Sequence, residues 1–131
     1  MSKIKETYEK LRDLFEASQG DALWDDERDD YKYECYDELR DALYEGMKET
    51  GTLDLNFLEH VPKRNGTGYY MFAYLGMKNE YEDFTSLQAC YTALTFVVRA
   101  KYVEHLFDMF PMFTRNGRIY RALSRVCDLL K

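Results

Sequence analysis

Acidic side chains are concentrated in residues 21–49, which contain 12 Asp and Glu residues but only 4 Lys and Arg residues. Within this segment, Asp26, Asp30, Glu34 and Glu38 recur at every fourth position. On a continuous helix these carboxylates would form one column of like charges, and each neighbouring pair would cost ~0.2–0.5 kcal/mol. Their spacing is similar to that of phosphates along a nucleic acid strand. The pattern therefore indicates a surface that imitates nucleic acid toward a basic groove. A solvated helix face, with its repulsion reduced by nearby Lys and Arg side chains, is the alternative.

Tyrosines lie among these acids. Tyr31, Tyr33, Tyr36 and Tyr44 cannot all lie on the buried stripe of a helix that begins near Asp29. Exposed rings surrounded by charge are typical of binding hot spots, although rings at the edge of a core give the same pattern. We therefore predict a partner-binding surface, which comprises Trp24, Asp25, Asp26, Asp29, Asp30, Tyr31, Tyr33, Glu34, Asp37, Glu38, Asp41 and Tyr44.

Catalytic and metal chemistry have little support in the sequence. Residues 25–30 lack the alternating acids and the glycine of a calcium-binding loop. His60 and His105 fit no metal-ligand spacing, and no serine or cysteine lies in the local signature of a nucleophile. We predict no catalytic residues, no metal and no cofactor, and we expect the protein not to be an enzyme.

Two basic Asn-Gly segments, residues 63–68 and 115–118, could cradle a phosphate through backbone amides. Neither matches a P-loop, and turn chemistry with cations near a helix C-terminus explains both. The net charge is −6, and residues 1–50 carry 16 acidic and 8 basic side chains, whereas residues 101–131 carry 3 and 6. We therefore expect basic protein partners and do not expect the chain to bind nucleic acid directly.

The length of 131 residues suits a single domain, residues 1–131. The charged N-terminus lacks the apolar run of a secretion signal, and residues 84–98, the longest uncharged stretch, include polar side chains. Three cysteines without C-x-x-C spacing indicate reduced thiols. We expect a cytoplasmic protein, in the host cytoplasm if it is encoded by a phage, with no membrane partner.

Helical periodicity recurs in four segments of the chain. It predicts helices from about Ser2 to Ala17 and from about Asp29 to Thr50. A long central helix is predicted over about residues 84–110, because it is apolar nearly all round and Pro111 follows it. A last helix should begin at Thr114 or Asn116 and continue to the C-terminus.

The middle of the chain has the period of strands. Leu53–Phe57 alternates apolar and polar residues, which predicts a half-buried strand. Pro62–Gly68 has turn chemistry, and Tyr69–Leu75 is typical of a strand that is apolar on both faces. Glu80–Phe84 is either a short third strand or a loop. The order is then ααββ(β)αα, an α+β fold, predominantly helical, with the central helix packed on a small antiparallel sheet.

Three classes of function are compatible with this sequence. We favour a small acidic inhibitor or modulator that occupies a basic, nucleic-acid-binding surface of a partner, similar in bulk character to the anti-CRISPR and anti-restriction proteins of phages and mobile elements. A regulatory or structural protein, such as an immunity protein, an antitoxin or a homodimer subunit, is the second class, with Tyr69–Leu75 as its interface. An enzyme or nucleic-acid binder that uses Arg64, Arg115, Arg118 and His105 is the third.

Overall fold

The computed structural model describes residues 3–60, 86–102 and 108–131. These residues form a mainly helical structure with one two-stranded antiparallel sheet. In chain order the elements are α1 (Lys3–Glu16), β1 (Trp24–Asp25), β2 (Asp30–Tyr31), α2 (Tyr33–Thr50), α3 (Phe57–His60), α4 (Leu87–Arg99) with a 3-10 turn (Ala100–Tyr102), α5 (Phe110–Arg115) and α6 (Arg118–Leu129). The prediction of a predominantly helical α+β fold is confirmed at this level, but the described sheet lies within residues 24–31 and not in the middle of the chain, where the sequence predicted strands.

The helices bury their apolar faces against one another in a single core. Helix α1 packs against both α2 and α6, and α4 packs against α6 and α2. In α1, Tyr8, Leu11 and Phe15 are buried because they recur at helical spacing on one face. Every residue from 92 to 98 in α4 is buried, as expected for a helix that is apolar nearly all round.

The predicted strand Leu53–Phe57 is wrong. Residues 52–54 have no regular structure, Leu55 and Asn56 form a turn, and Phe57 begins α3. The carboxylate of Asp54 accepts hydrogen bonds from the Asn56 N–H and from the Thr92 hydroxyl, which fixes the turn and buries the acid. Burial is therefore the reverse of the expected pattern at two positions, with Asp54 buried and Leu55 85% exposed.

The predicted long helix over residues 84–110 is shorter in the structure. Helix α4 begins after Ser86, whose hydroxyl accepts from the Ala89 N–H, and gives way to the 3-10 turn at Ala100. A separate helix, α5, begins at Phe110, so Pro111 lies in its first turn and does not end a preceding helix. The ends of α1 lie within one residue of the predicted helix from Ser2 to Ala17, and α6 begins two residues after Asn116.

Several predictions fall on residues outside the described part of the chain. They are the turn Pro62–Gly68, the strand Tyr69–Leu75 and the strand or loop Glu80–Phe84. Among the described residues, no helix is both long and apolar enough to cross a membrane.

Candidate protein-binding surface on the hairpin and the second helix

A tight hairpin precedes α2, where the sequence predicted the start of a helix. Trp24 pairs with Tyr31, and Asp25 pairs with Asp30, in the antiparallel sheet. Asp29 has a φ of 52°, a left-handed conformation that Asp adopts more readily than most residues and that no α-helix continues through. Helix α2 therefore begins at Tyr33 and not at Asp29.

This boundary breaks the predicted column of four carboxylates. Asp26 and Asp30 belong to the hairpin, while Glu34 and Glu38 lie on α2. The hypothesis of one continuous helical column over these four residues is therefore wrong, because it required a helix through Asp29. The acids are instead divided between two adjoining elements.

Asp25 holds the hairpin loop together. Its Oδ1 accepts hydrogen bonds from the N–H groups of Glu27 and Arg28, and its Oδ2 accepts from the Arg28 Nε at 2.6 Å. The hydrogen bond from the Arg28 side chain is the main reason that the pKa of Asp25 lies below its ordinary value. Asp25 therefore has a structural role, and Asp26, Glu27 and Asp29 are the exposed acids of the loop.

Tyr31 is the centre of an aromatic cluster. Its ring meets those of Trp24, Tyr33 and Tyr36 edge to face, with centroid distances of 5.2, 5.8 and 5.4 Å. Tyr36 is 1% exposed and belongs to the core. The cluster thus connects the hairpin to the interior of the domain, and Tyr31 itself is half-buried.

A cation from the far end of the chain completes the cluster. The Arg115 guanidinium lies 4.2 Å from the centre of the Trp24 ring and donates to Asp21 Oδ1 at 2.7 Å. The hydrogen bond to Asp21 is the main reason that the pKa of Arg115 is raised. This geometry gives Arg115, one of the basic residues considered for nucleic acid binding, a partner within the fold.

Tyr33 is the exposed member of the cluster. Its side chain is 49% exposed, and its hydroxyl donates to Asp30 Oδ1 at 3.1 Å. This hydrogen bond is the main cause of the raised pKa of the Tyr33 phenol. The prediction that Tyr33 lies at the surface among acids agrees with its position here.

The outward side of α2 carries five exposed acids that we call the acidic face: Glu34, Glu38, Asp41, Glu45 and Glu49. At about 100° per residue they fall within an arc of about 80° around the helix axis. Of the residues that the structure describes, none forms an ion pair with Glu38, Asp41, Glu45 or Glu49. Glu45 and Glu49 were missing from the predicted surface, although the same helical period from Glu34 leads to both.

Arg40 is one of the basic side chains that lie near these acids in the sequence, but it does not reduce the charge of the acidic face. Its side chain is 3% exposed, donates to Asp37 and to Asp108, and stacks over the Phe110 ring at 4.9 Å. Burial acts to raise the pKa of Asp37, but hydrogen bonds and positive charge from Arg40 and Lys101 outweigh burial, so this pKa is lowered. Asp37 is thus exposed but already paired, and it adds less free charge than each carboxylate of the acidic face does.

The twelve predicted surface residues divide into two groups, and none of them is buried. The exposed group contains Asp26, Asp29, Tyr33, Glu34, Asp37, Glu38 and Asp41. The partly buried group contains Trp24, Asp25, Asp30, Tyr31 and Tyr44. Tyr44 packs against the core and lies below the Arg99 guanidinium, 5.7 Å from it, so it belongs to a different part of the surface.

Groups that could perform metal or nucleophilic chemistry are few in the part of the chain that the structure describes. No three His, Cys, Asp or Glu side chains there are arranged to hold a metal ion. Cys90 is fully buried, and burial raises the pKa of its thiol to about 12. Arg64 and His105 lie outside the described residues.

The arrangement of charged and aromatic groups is suited to binding a basic macromolecule. The acidic face and the exposed loop acids supply negative charge, and Tyr33 supplies a partly exposed ring between them. The chain matches no known protein family, no curated protein and no solved structure. Its function is therefore inferred from its own residues.

Proposed function

We propose that the protein is an inhibitor or modulator that binds a basic, nucleic-acid-binding surface of a partner protein. The observation that carries this proposal is the acidic face of α2, whose five carboxylates are exposed, as are the acids of the hairpin loop that precedes this helix in the chain. A nuclease or another nucleic-acid-processing enzyme, of the kind that phages and mobile elements block, is the partner class that this charge fits.

The charge density of α2 supports the proposal. From Glu34 to Glu49 the helix rises about 22 Å, so the five carboxylates of the acidic face lie roughly 5.6 Å apart along the axis on average. One strand of B-DNA carries one phosphate per about 3.4 Å of axis. A groove shaped for a nucleic acid strand would therefore meet a similar sequence of negative charges on a rod of α-helical width.

The position of Arg40 gives further support. An arginine on α2 could have paired with the acidic face, but the buried Arg40 pairs with Asp37 and Asp108. Lys48 is the one exposed basic side chain on this helix. The exposed side of α2 therefore remains strongly negative, which raises the association rate with a basic partner and makes the affinity depend on salt.

The experiment compares two variants with equal net charge. The face variant carries Glu34→Gln, Glu38→Gln, Asp41→Asn and Glu45→Gln. The control carries four changes on α1, namely Glu6→Gln, Glu9→Gln, Asp13→Asn and Glu16→Gln. Wild type and both variants are immobilised in turn, proteins retained from a lysate are eluted by a salt step, and each retained protein is purified for binding measurements.

We expect the retained protein to bind nucleic acid itself. A nucleic acid duplex should then displace this protein from the immobilised chain. The face variant should bind it at least about tenfold more weakly, and the control within about twofold of wild type. Wild-type affinity should fall steeply between about 50 and 200 mM salt. Equal binding by the face variant and wild type, or simultaneous binding of the chain and nucleic acid, would show the proposal to be wrong.

A further inference from the structure

We infer that Tyr33 and Asp30 form a binding site for an arginine side chain of the partner; this inference rests on the proposed function and adds to it the residue type that the partner presents. The site lies where β2 ends and α2 begins, next to the acidic face. Its parts are the half-exposed Tyr33 ring and the Asp30 carboxylate, which are joined by the hydrogen bond from the Tyr33 hydroxyl.

The Asp30 carboxylate has one oxygen engaged and one that can take a new donor. Oδ1 accepts from the Tyr31 N–H at 2.8 Å and from the Tyr33 hydroxyl at 3.1 Å. Of residues 3–60, 86–102 and 108–131, none donates a hydrogen bond to Oδ2. The two bonds to Oδ1 hold the carboxylate in a fixed orientation beside the ring, so a guanidinium that reaches Oδ2 would find its acceptor already positioned.

The same cluster already binds one guanidinium in this way. Arg115 stacks on Trp24 and donates to Asp21, so a ring and a carboxylate together hold a cation. Tyr33 and Asp30 offer the same two groups, and no described residue places a cation over the Tyr33 ring. We therefore expect the guanidinium of the partner to contact Tyr33 and Asp30 as the guanidinium of Arg115 contacts Trp24 and Asp21.

Arginine suits this site better than lysine does. A guanidinium is planar, stacks on an aromatic face and donates in a fixed fork, whereas an ammonium is a strongly hydrated point charge. The acidic face attracts both cations by charge alone. A preference for arginine over lysine would therefore come from an aromatic ring such as that of Tyr33. This difference separates the arginine site from the acidic face in an experiment.

The test measures binding of octa-arginine and octa-lysine to the full chain by isothermal titration calorimetry at low salt. We expect octa-arginine to bind wild type more tightly than octa-lysine does. Tyr33→Leu should lower the ratio of the two affinities about two- to fivefold and leave octa-lysine binding unchanged. Tyr33→Phe keeps the ring but loses the hydrogen bond to Asp30, so it should keep most of the preference. Tyr102→Leu is the matched control, because Tyr102 is an exposed tyrosine whose ring already lies near Arg99 and Lys101.

The outcomes distinguish this inference from the proposed function. If both peptides bind but Tyr33→Leu leaves their ratio unchanged, the arginine site is wrong and the acidic face is unaffected. If Tyr102→Leu lowers the ratio as much as Tyr33→Leu does, the preference does not arise at Tyr33 and the inference is again wrong. If neither peptide binds at low salt, the acidic face does not bind cationic chains and both proposals fail.

Discussion

The guanidinium of Arg115 lies over the Trp24 ring, 4.2 Å from its centre, and joins the end of α5 to the first strand of the hairpin. The backbone strengthens this link, because the Gly20 N–H donates to the Arg115 carbonyl oxygen at 2.8 Å. The exposed loop between the strands thus projects from a base held by a cation, a ring and the main chain. Since a two-stranded hairpin is marginal by itself, this base is what keeps the loop acids in one arrangement.

Replacing Arg115 by leucine should loosen the hairpin without unfolding the helices. The substitution removes the stacking on Trp24 and the ion pair with Asp21, both near the surface. We expect acrylamide to quench Trp24 fluorescence more strongly in the variant, and the urea midpoint to fall by less than a core truncation would cause. Arg115→Lys, which keeps the charge but loses the planar stacking, should lie between leucine and wild type. Unchanged quenching in the leucine variant would contradict this role.

Arg40 should matter more for stability, because it is buried. Arg40→Ala leaves Asp37 and Asp108 without their common donor and opens a gap beside Phe110, so we expect a loss of about 2–4 kcal/mol in the free energy of unfolding. Arg40→Met fills most of the space but leaves the same two carboxylates without this donor, so it should lose less stability than Arg40→Ala. Urea denaturation of the two variants measures the difference, and equal losses would show that charge pairing dominates over packing.

The pKa of Asp37 gives a separate test of the same contacts. Because it is lower in the folded protein than in the unfolded chain, Asp37 stabilises the fold above the unfolded value of about 3.9, and this contribution is lost as the pH falls through the folded value. NMR titration of the side-chain carboxyl should give a pKa below the ordinary value in wild type. Arg40→Met should raise it, while Lys101 keeps part of the effect. No change in Arg40→Met would contradict the assignment.

Gly46 lies on the side of α2 that packs closely against α1. A Cβ added there would lie 3.0 Å from Leu11 Cδ1 and 3.3 Å from Thr7 Cγ2. Gly46→Ala should change the free energy of unfolding by less than about 1 kcal/mol, because the gain in helix propensity offsets the crowding of mobile side-chain ends. Gly46→Val should cost about 1–3 kcal/mol through overpacking. Thermal or urea unfolding measures both, and a valine variant as stable as wild type would contradict the close approach.

The three thiols should differ in reactivity. Cys90 and Cys127 are buried, and burial raises the pKa of both, whereas Cys35 is half-buried near the start of α2. A disulfide reagent at about pH 8 should label Cys35 rapidly in the native protein and the other two only after unfolding, because the thiolate is the reactive form. Cys35→Ser should abolish the fast phase. Rapid labelling of Cys90 in the folded protein would contradict its burial.

Helical periodicity predicted α1, most of α2 and α6, because their buried side chains recur at helical spacing and contact other helices. The alternation of apolar and polar residues at Leu53–Phe57 led to a wrong prediction of a strand, and the reason is physical. Asp54 there is buried and satisfied by Thr92, whose contact with it spans 38 positions of the chain and leaves no trace in the local pattern. Helix α4 also ended early, since apolar residues continue past Arg99 and periodicity alone does not mark the 3-10 turn at Ala100.

The candidate surface was predicted in composition but not in geometry. Acidic and aromatic residues identified the segment, and Tyr33, Glu34, Glu38 and Asp41 are indeed exposed together. The hairpin was missed because Asp29 carries no glycine-like signal for a left-handed backbone. The inward direction of Arg40 depends on Asp108 and Phe110, two residues far along the chain, so a charge count over the segment could not reveal it.

The acidic face is exposed on one side of α2, and Arg40 lies on the buried side of the same helix. The negative charge of this helix is therefore presented in one direction. If the proposed function is correct, the field of a basic groove would rotate the approaching protein before any contact forms. Added salt should then slow association more than it speeds dissociation. The rate of association with the partner would therefore depend on how the protein is oriented during diffusion.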